Sequence, residues 1–205
     1  SLEQRAGHVI VGTYGGLEPP VDLVRDLGLA GVILMGDNVP SGSDSASALA
    51  RTTARLQATL DRPYPLIVSV DQEGGPVARV GPPATQFPPG MAHGAAGDAD
   101  VSRAAAHAQG RELAALGFTM SFAPVADVTA GLSDPTIGVR APGGRPRLVG
   151  RVATAQAAGL VEAGLVPVVK HFPGHGSVPA DSHVELPVQT ASLERLTTRD
   201  LVPFA

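Results

Sequence analysis

Residues 166–175 read Val-Pro-Val-Val-Lys-His-Phe-Pro-Gly-His, an apolar run that passes directly into charged and titratable side chains among Pro and Gly. Such a run, closed by Pro and Gly, is typical of a buried strand that opens into a shaped loop. Lys170 is the only lysine of the chain, and the segment that begins there extends to Asp181 and His183. The loop therefore gathers groups that exchange protons, and we expect the rest of the chain to support it.

The same pattern of an apolar run followed by polar residues recurs along the chain. Strands are predicted over 8–14, 31–35, 65–70, 118–128 and 165–169. Helical spacing of apolar residues predicts helices between them, over 20–27, 44–60, 98–116 and 146–163, and a further helix starting in 191–199. Continuous rather than alternating apolar strands indicate a parallel sheet covered by helices, an α/β fold.

Two finer expectations belong to the third helix and the segment before it. Residues 81–97 are rich in Pro and Gly and are predicted as a long loop. Asp98 or Asp100 can cap the helix that follows, and Gly117 ends it. Its buried face is predicted to carry Val101, Ala105, Ala108 and Leu116.

An open doubly wound sheet and a (β/α)8 barrel both fit this alternation. No Gly-x-Gly-x-x-Gly follows the first strand, which argues against dinucleotide binding. Polar residues follow the later strands at Asp71, Asp127, Lys170 and His171. In a barrel these strand ends share one face, where active sites lie. We therefore favour a TIM-type barrel, with about five of its eight βα units in the single domain 1–205 and the rest expected from a longer chain.

Composition excludes several classes of protein. The chain has 205 residues, of which 43% are hydrophobic, and its formal charge is −4, so no basic surface for nucleic acid is predicted. The absence of cysteine excludes disulfides and thiol catalysis. No apolar run reaches the ~20 residues that span a bilayer. No signal peptide is visible, and localisation, cytoplasmic or secreted, stays open.

Asp181 and His183 form the first candidate pair, because a carboxylate two residues before a histidine can orient its imidazole for acid–base catalysis. A solvated polar loop tip is the plain alternative. Zinc binding by these two residues with His171 and His175 is a third reading. Pro173 argues against it, because a regular helix cannot present that histidine pair.

Lys170 and His171 stand at a strand end, where a sole lysine is better explained by a ligand than by a solvated surface. His171 can also be a hydrogen-bonded core histidine. Asp71, Glu73 and Arg79 can grip a polyol, since carboxylates accept from hydroxyls and a guanidinium donates a fork of N–H groups. An internal salt bridge between Arg79 and either acid is the alternative, and Glu73 can be purely structural.

Two further residues are harder to assign from sequence. Arg140 lies on the loop after the fourth strand and, taken alone, resembles a surface arginine. Asp127 ends the run Ala-Pro-Val-Ala-Asp and either caps a helix or lines a pocket.

Together these segments resemble the β-N-acetylhexosaminidases of glycoside hydrolase family 3. Lys-His-Phe-Pro-Gly-His-Gly over 170–176, followed after four residues by Asp-Ser-His, resembles the family's signature. Val-Asp-Gln-Glu-Gly-Gly over 70–75, Ala-Pro-Val-Ala-Asp-Val over 123–128 and Leu-Val-Pro-Phe over 201–204 match further motifs in order.

The resemblance implies a barrel that releases terminal N-acetylglucosamine with retention, from cell-wall muropeptide or chitin-type substrates, through a covalent glycosyl-enzyme. It implies a histidine acid/base, His183, paired with Asp181, and no metal or other cofactor. The implied sugar contacts are Asp71, Arg79, Arg140, Lys170 and His171.

Three departures from the family pattern stand out. Ala141-Pro142-Gly143 replaces the usual Ser-Phe-Gly after Arg140, and Pro76 stands where an arginine is common. The family's nucleophilic aspartate lies on a later strand that these residues do not include. The 205 residues alone are therefore expected to be inactive and unstable. A phosphorylase or another β-glycosidase, and a non-catalytic sugar-binding protein, remain the alternatives.

Overall fold

The computed structural model describes residues 1–131, 136–178 and 186–205. Its strands are short and fall where buried apolar runs were predicted, apart from one inserted hairpin. In chain order they are β1 Val11–Gly12, β2 Gly31–Leu34, β3 Ile67–Val70, β4 Gln72–Gly74, β5 Val77–Ala78, β6 Met120–Ser121 and β7 Val166–Pro167.

Five of these strands form one parallel sheet in the order β1-β2-β3-β6-β7, so each strand pairs with the next one along the chain. Gly31 pairs with Ile67 and Ser121 with Pro167. Only β4 and β5 are antiparallel, as a small hairpin after β3. The predicted parallel α/β sheet is confirmed, and the described strands form no closed barrel.

Helices connect the parallel strands and cover the sheet. They are α1 Leu2–Gly7, α2 Val21–Leu27, α3 Ser45–Gln57, α4 Gly90–Ala96, α5 Ala99–Ala115, α6 Pro146–Glu162 and α7 Leu193–Arg195, which continues as a π-helical turn, Leu196–Asp200. Gly28 ends α2 in the left-handed conformation, as predicted. The Asp98 carboxylate accepts from the N–H groups of Asp100 and Val101 and so caps α5.

The predicted first strand, 8–14, is wrong over most of its length. Ser1 and Gln4 form a capping box that starts α1, and this helix uses the chain as far as Gly7. Val9 is 82% exposed, and strand pairing begins only at Val11. The helix was missed although its capping box, Ser1 to Gln4, is a local sequence signal.

Two predictions about the middle of the chain are corrected. The predicted loop 81–97 contains α4, whose glycines suit close packing rather than isolated helix formation. The buried face of α5 is only partly the predicted one: Val101 and Ala108 are exposed, whereas Ala105 is half-buried and Leu116 packs against the core. The buried residues are instead Ser102, Ala106, Gln109, Gly110 and Leu113. Close contact with α6 selects this face, because Gly110 faces Ala163, where an added Cβ would lie 2.6 Å away.

The main core lies between the sheet and the helices. It joins aliphatic side chains of α2, β2, α3, β3 and α5, among them Val24, Leu34, Leu49, Leu56, Val68, Val70 and Leu113. This packing holds the sheet rigid, so the strand ends from which the loops begin have fixed positions. Among the described helices, none combines the length and apolar composition needed to cross a membrane.

Candidate functional site

A cleft of about 320 Å³ lies beyond the carboxyl ends of β2, β3, β6 and β7. Its walls contain five of the seven residues that the sequence predicts for the site. They are Asp71, Arg79, Arg140, Lys170 and His171. The other two, Asp181 and His183, lie outside the described residues.

The acids after β3 enter the cleft because the chain turns sharply into the β4–β5 hairpin. Gly74 has a φ of +91°, and an added Cβ would lie 2.4 Å from the carbonyl oxygen of Pro88, so only glycine fits there. The turn buries the Glu73 side chain to 4% exposure, whereas Asp71 keeps 17%. Asp71 therefore faces the open cleft, and Glu73 lies beneath it.

Glu73 holds two of the predicted cations. Arg140 donates from Nε to Glu73 Oε2 and from Nη2 to Oε1, both over 2.8 Å, a bidentate pair. Lys170 Nζ lies 2.6 Å from Glu73 Oε1 and 2.5 Å from Asp71 Oδ1. One buried carboxylate thus joins an arginine and a lysine that come from different loops. The sequence leaves the role of Glu73 open, although its place after a buried strand was a usable signal.

Arg140 is fixed in this cluster and is not a solvated surface arginine. Burial alone would lower the pKa of its guanidinium, but the hydrogen bonds and charge of Glu73, with the charges of Asp127 and Asp71, raise it above the ordinary value. Arg140 also donates to the backbone oxygen of Thr136 over 3.3 Å. A permanent cation therefore lines the cleft, despite the altered residues that follow it.

Asp127 organises the turn that carries the histidines. Its fully buried carboxylate accepts from the backbone N–H of His171 and His175, over 3.2 and 2.6 Å, and lies 2.6 Å from His171 Nδ1. It acts as the internal support of this turn rather than as a helix cap. Sequence reasoning left Asp127 undecided, because its partners are 44 and 48 positions away.

The contacts of His171 assign its tautomer. Arg140 Nη2 lies 3.2 Å from His171 Nε2, and a guanidinium only donates, so Nε2 is the acceptor. The proton is then on Nδ1, where it is donated to Asp127. His171 is thus a neutral, oriented imidazole at the cleft wall.

Lys170 is placed by the end of the parallel sheet. It forms a parallel bridge with Val125, and Ala126 N donates to its carbonyl oxygen over 2.6 Å. The Lys170–His171 and Phe172–Pro173 peptide bonds are cis. The side chain of Lys170, 14% exposed, reaches the two acids of the β3 loop across the cleft.

Arg79 differs from the other cations. It follows the hairpin, its backbone N–H donates to the Asp71 carbonyl, and its side chain lines the cleft. Within the described chain its guanidinium forms no ion pair with Asp71 or Glu73, and its buried Nε lacks a hydrogen-bond partner. The alternative of an internal salt bridge is therefore wrong, and Arg79 keeps donors for a ligand.

The zinc alternative finds no support in the described part of the chain, where no three His, Asp or Glu side chains group as metal ligands. The rings of His171 and His175 are 6.0 Å apart, and His171 Nδ1 is used by Asp127. The remaining ligands of that set, Asp181 and His183, fall in the undescribed residues.

The cleft brings together two carboxylates, three cations and an imidazole oriented by the buried Asp127, at one end of a parallel sheet. Carboxylate oxygens can accept hydrogen bonds from hydroxyl groups, and the cations can donate to oxygen acceptors. Fold and site together define the class: an α/β domain with a polar cleft at the carboxyl ends of its parallel strands. The chain belongs to glycoside hydrolase family 3, since the family model "Glycosyl hydrolase family 3 N terminal domain" matches residues 18–205.

Individual relatives agree with this assignment. A β-hexosaminidase of Xylella fastidiosa is 39% identical over 193 residues, which cover 90% of this chain and 55% of that protein. A family 3 β-N-acetylglucosaminidase structure from Paenibacillus superposes with a TM-score of 0.93 at 39% identity, covering 100% of this chain and 39% of that one. For NagZ from Neisseria gonorrhoeae the TM-score is 0.82 at 31% identity, with coverages of 95% and 58%.

The chain spans about half the length, or less, of the curated relatives it matches. The share is 55% for the Xylella protein and 31% for β-hexosaminidase A of Pseudoalteromonas piscicida, which is 34% identical. The matched region is thus only a part of each of these relatives.

Proposed function

We propose that this domain supplies the sugar-binding part of a retaining exo-β-N-acetylglucosaminidase. The observation that carries the proposal is the convergence of Asp71, Arg79, Arg140, Lys170 and His171 in one cleft. Family membership and relatives named β-hexosaminidase support the reaction class. The proposed substrates carry a terminal β-linked N-acetylglucosamine, from cell-wall muropeptides or chitin-type oligosaccharides, and no cofactor takes part.

The proposed architecture is a TIM-type barrel completed by the rest of a longer protein. Strands that are neighbours in the chain are also neighbours in the sheet, without the reversal of order that marks a doubly wound sheet. Residues 1–205 would then be the first part of one catalytic domain. The nucleophilic aspartate would follow on a later strand.

Within the cleft we assign the sugar contacts by chemistry. Asp71 accepts from hydroxyls, and Lys170 and Arg79 donate to sugar oxygens. His171, whose two ring nitrogens are engaged by Asp127 and Arg140, is proposed to contact the sugar through its ring. Arg140 is held in place by Glu73, Thr136 and His171, so its one remaining N–H, on Nη1, is pre-oriented.

The proton transfers are assigned to His183 with Asp181. Retaining hydrolysis needs one group that protonates the leaving oxygen and later deprotonates water, and a second group that attacks the anomeric carbon. An imidazole does the first task without adding a negative charge beside the nucleophile. Asp181 would stabilise the imidazolium when His183 takes up the proton.

The test compares leaving groups on the full-length protein. His183→Ala should lower turnover of a chitin disaccharide, whose leaving oxygen needs protonation, by roughly 10²–10⁴-fold. It should affect glycosyl transfer from a dinitrophenyl β-N-acetylglucosaminide far less, because that leaving group departs without a proton. His8→Ala is the matched control, since His8 is exposed and its ring contacts the exposed Tyr64.

Equal losses on both substrates would refute the acid/base assignment. Unchanged turnover of the disaccharide would refute it too. Added inorganic phosphate separates a hydrolase from a phosphorylase: the proposal requires free sugar, and accumulation of sugar 1-phosphate would contradict it.

A further inference from the structure

A buried ion pair lies outside the cleft, in the π-helical turn near the end of the described chain. The Asp200 side chain is fully buried, and its Oδ1 lies 2.6 Å from Arg199 Nη1. Asp200 Oδ2 is also buried and has no hydrogen-bond partner. Burial of a carboxylate with one unsatisfied oxygen is costly, so such a group is kept where its position has a use.

Arg199 connects this pair to the segment that carries Asp127. Its Nη2 donates to the carbonyl oxygens of Val128 and Thr129, over 3.0 and 3.1 Å. These are the two residues that directly follow Asp127. The Arg199 guanidinium therefore fixes the backbone that directly follows Asp127. Asp127 is the residue whose carboxylate supports His171.

Asp200 contacts the histidine turn itself. Gly174 N donates to the carbonyl of His171 over 2.7 Å and closes the turn. Gly174 has a φ of +122°, and an added Cβ would lie 2.6 Å from Asp200 Cβ, so the turn rests directly on the aspartate. The turn is thus enclosed between two buried carboxylates, Asp127 on one side and Asp200 on the other.

We propose that Arg199 and Asp200 are positioning residues that keep Asp127 and the His171 turn in register, and so set the imidazole against the sugar. The pair touches neither the cleft nor a reacting atom, and acts only through these two segments. The expected loss of kcat/KM rests on the proposed function, whereas the expected shift of the His171 NMR signal does not.

Asp200→Asn in the full-length protein is the test. The variant keeps the volume of the side chain but removes the charge that orients Arg199. Displacement of the His171 turn by about 1 Å would then lower kcat/KM by about 10²-fold. The imidazole Nδ1 proton of His171, assigned by its loss in His171→Ala, should shift in the NMR spectrum as its bond to Asp127 changes.

Glu162→Gln is the matched control, because it removes the carboxylate of the exposed Arg103–Glu162 pair, far from the cleft. It should leave kcat/KM and the His171 signal unchanged. If Asp200→Asn fails to fold, Arg199→Lys provides the test: it keeps the charge, but a single Nζ replaces the two nitrogens that contact Asp200 and the two carbonyls separately.

An unshifted His171 signal in a folded variant would overturn the inference, and so would kcat/KM within twofold of the parent in an active enzyme. If the parent protein hydrolyses no N-acetylglucosaminide, the proposed function fails. A shifted His171 signal in the variant would still support the positioning role.

Discussion

Helix α4 provides the most direct test of how the cleft is assembled, because it packs glycine against the backbone that carries Arg140. An added Cβ at Gly94 would lie 1.7 Å from the carbonyl oxygen of Pro142. At Gly90 the corresponding distance to the carbonyl oxygen of Arg140 is 2.1 Å. Because carbon and oxygen approach to about 3.3 Å, Gly94→Ala must separate the two segments by roughly 1.5 Å.

This separation should act on Arg140, two residues before the contact. Its bidentate pair with Glu73 depends on two 2.8 Å bonds, which a shift of this size breaks or bends. Misplacement by about 1 Å lowers the rate about 10²-fold. Overpacking costs about 1–3 kcal/mol of unfolding free energy, partly offset by the better helix propensity of alanine, up to ~1 kcal/mol.

The assay measures kcat and KM of the full-length protein on an aryl β-N-acetylglucosaminide, together with urea unfolding. Gly150→Ala is the matched control within α6, since its Cβ would meet only Pro203 Cα at an ordinary 3.5 Å. The free energy of unfolding of the control should rise by up to ~1 kcal/mol, and its kcat and KM should stay unchanged. Unchanged kinetics for Gly94→Ala would refute the view that α4 positions Arg140.

Two further predictions follow from buried groups. Glu73→Gln removes the charge shared by Arg140 and Lys170, so we expect a loss of roughly 3–5 kcal/mol in urea unfolding and a higher KM; a stability change below about 1 kcal/mol would contradict this. Burial lowers the pKa of His93, so the unfolded chain binds more protons as pH falls below 6.5, and stability is lost there on acidification. His93→Gln should flatten this acid limb of the stability–pH curve, and an unaltered limb would exclude His93 as its source.

Several features of the fold follow from the local sequence. The parallel sheet follows from continuous apolar runs such as 31–35 and 65–70, which match β2 and β3 closely. The Asp98 cap and the Gly28 stop are local signals, and both are confirmed. Helix α4 was not predictable in this way, because its glycines have low helix propensity and the helix is stabilised by packing against residues 140–142.

The residues of the cleft likewise divide into those that the sequence predicts and those that only the structure decides. Its residues were predictable because strand ends of a parallel sheet meet at one edge, which brings Asp71, Lys170 and His171 together. The sequence leaves Arg79 open between a ligand contact and a salt bridge, and only the structure, in which its buried Nε has no partner among the described residues, separates the two. The acid/base prediction for Asp181 and His183 stays a prediction.

The sequence by itself thus determined the alternation of strands and helices, the approximate ends of α2, α3, α5 and α6, and a set of polar side chains at one edge of the sheet. These depend on periodicity and on caps within a few residues. The tertiary structure alone decided the pairing: Glu73 with Arg140, 67 positions away, Lys170 with Asp71, 99 away, and His171 with Asp127, 44 away. Such partners are chosen by strand register and loop packing, which join distant segments and leave no local pattern in the chain.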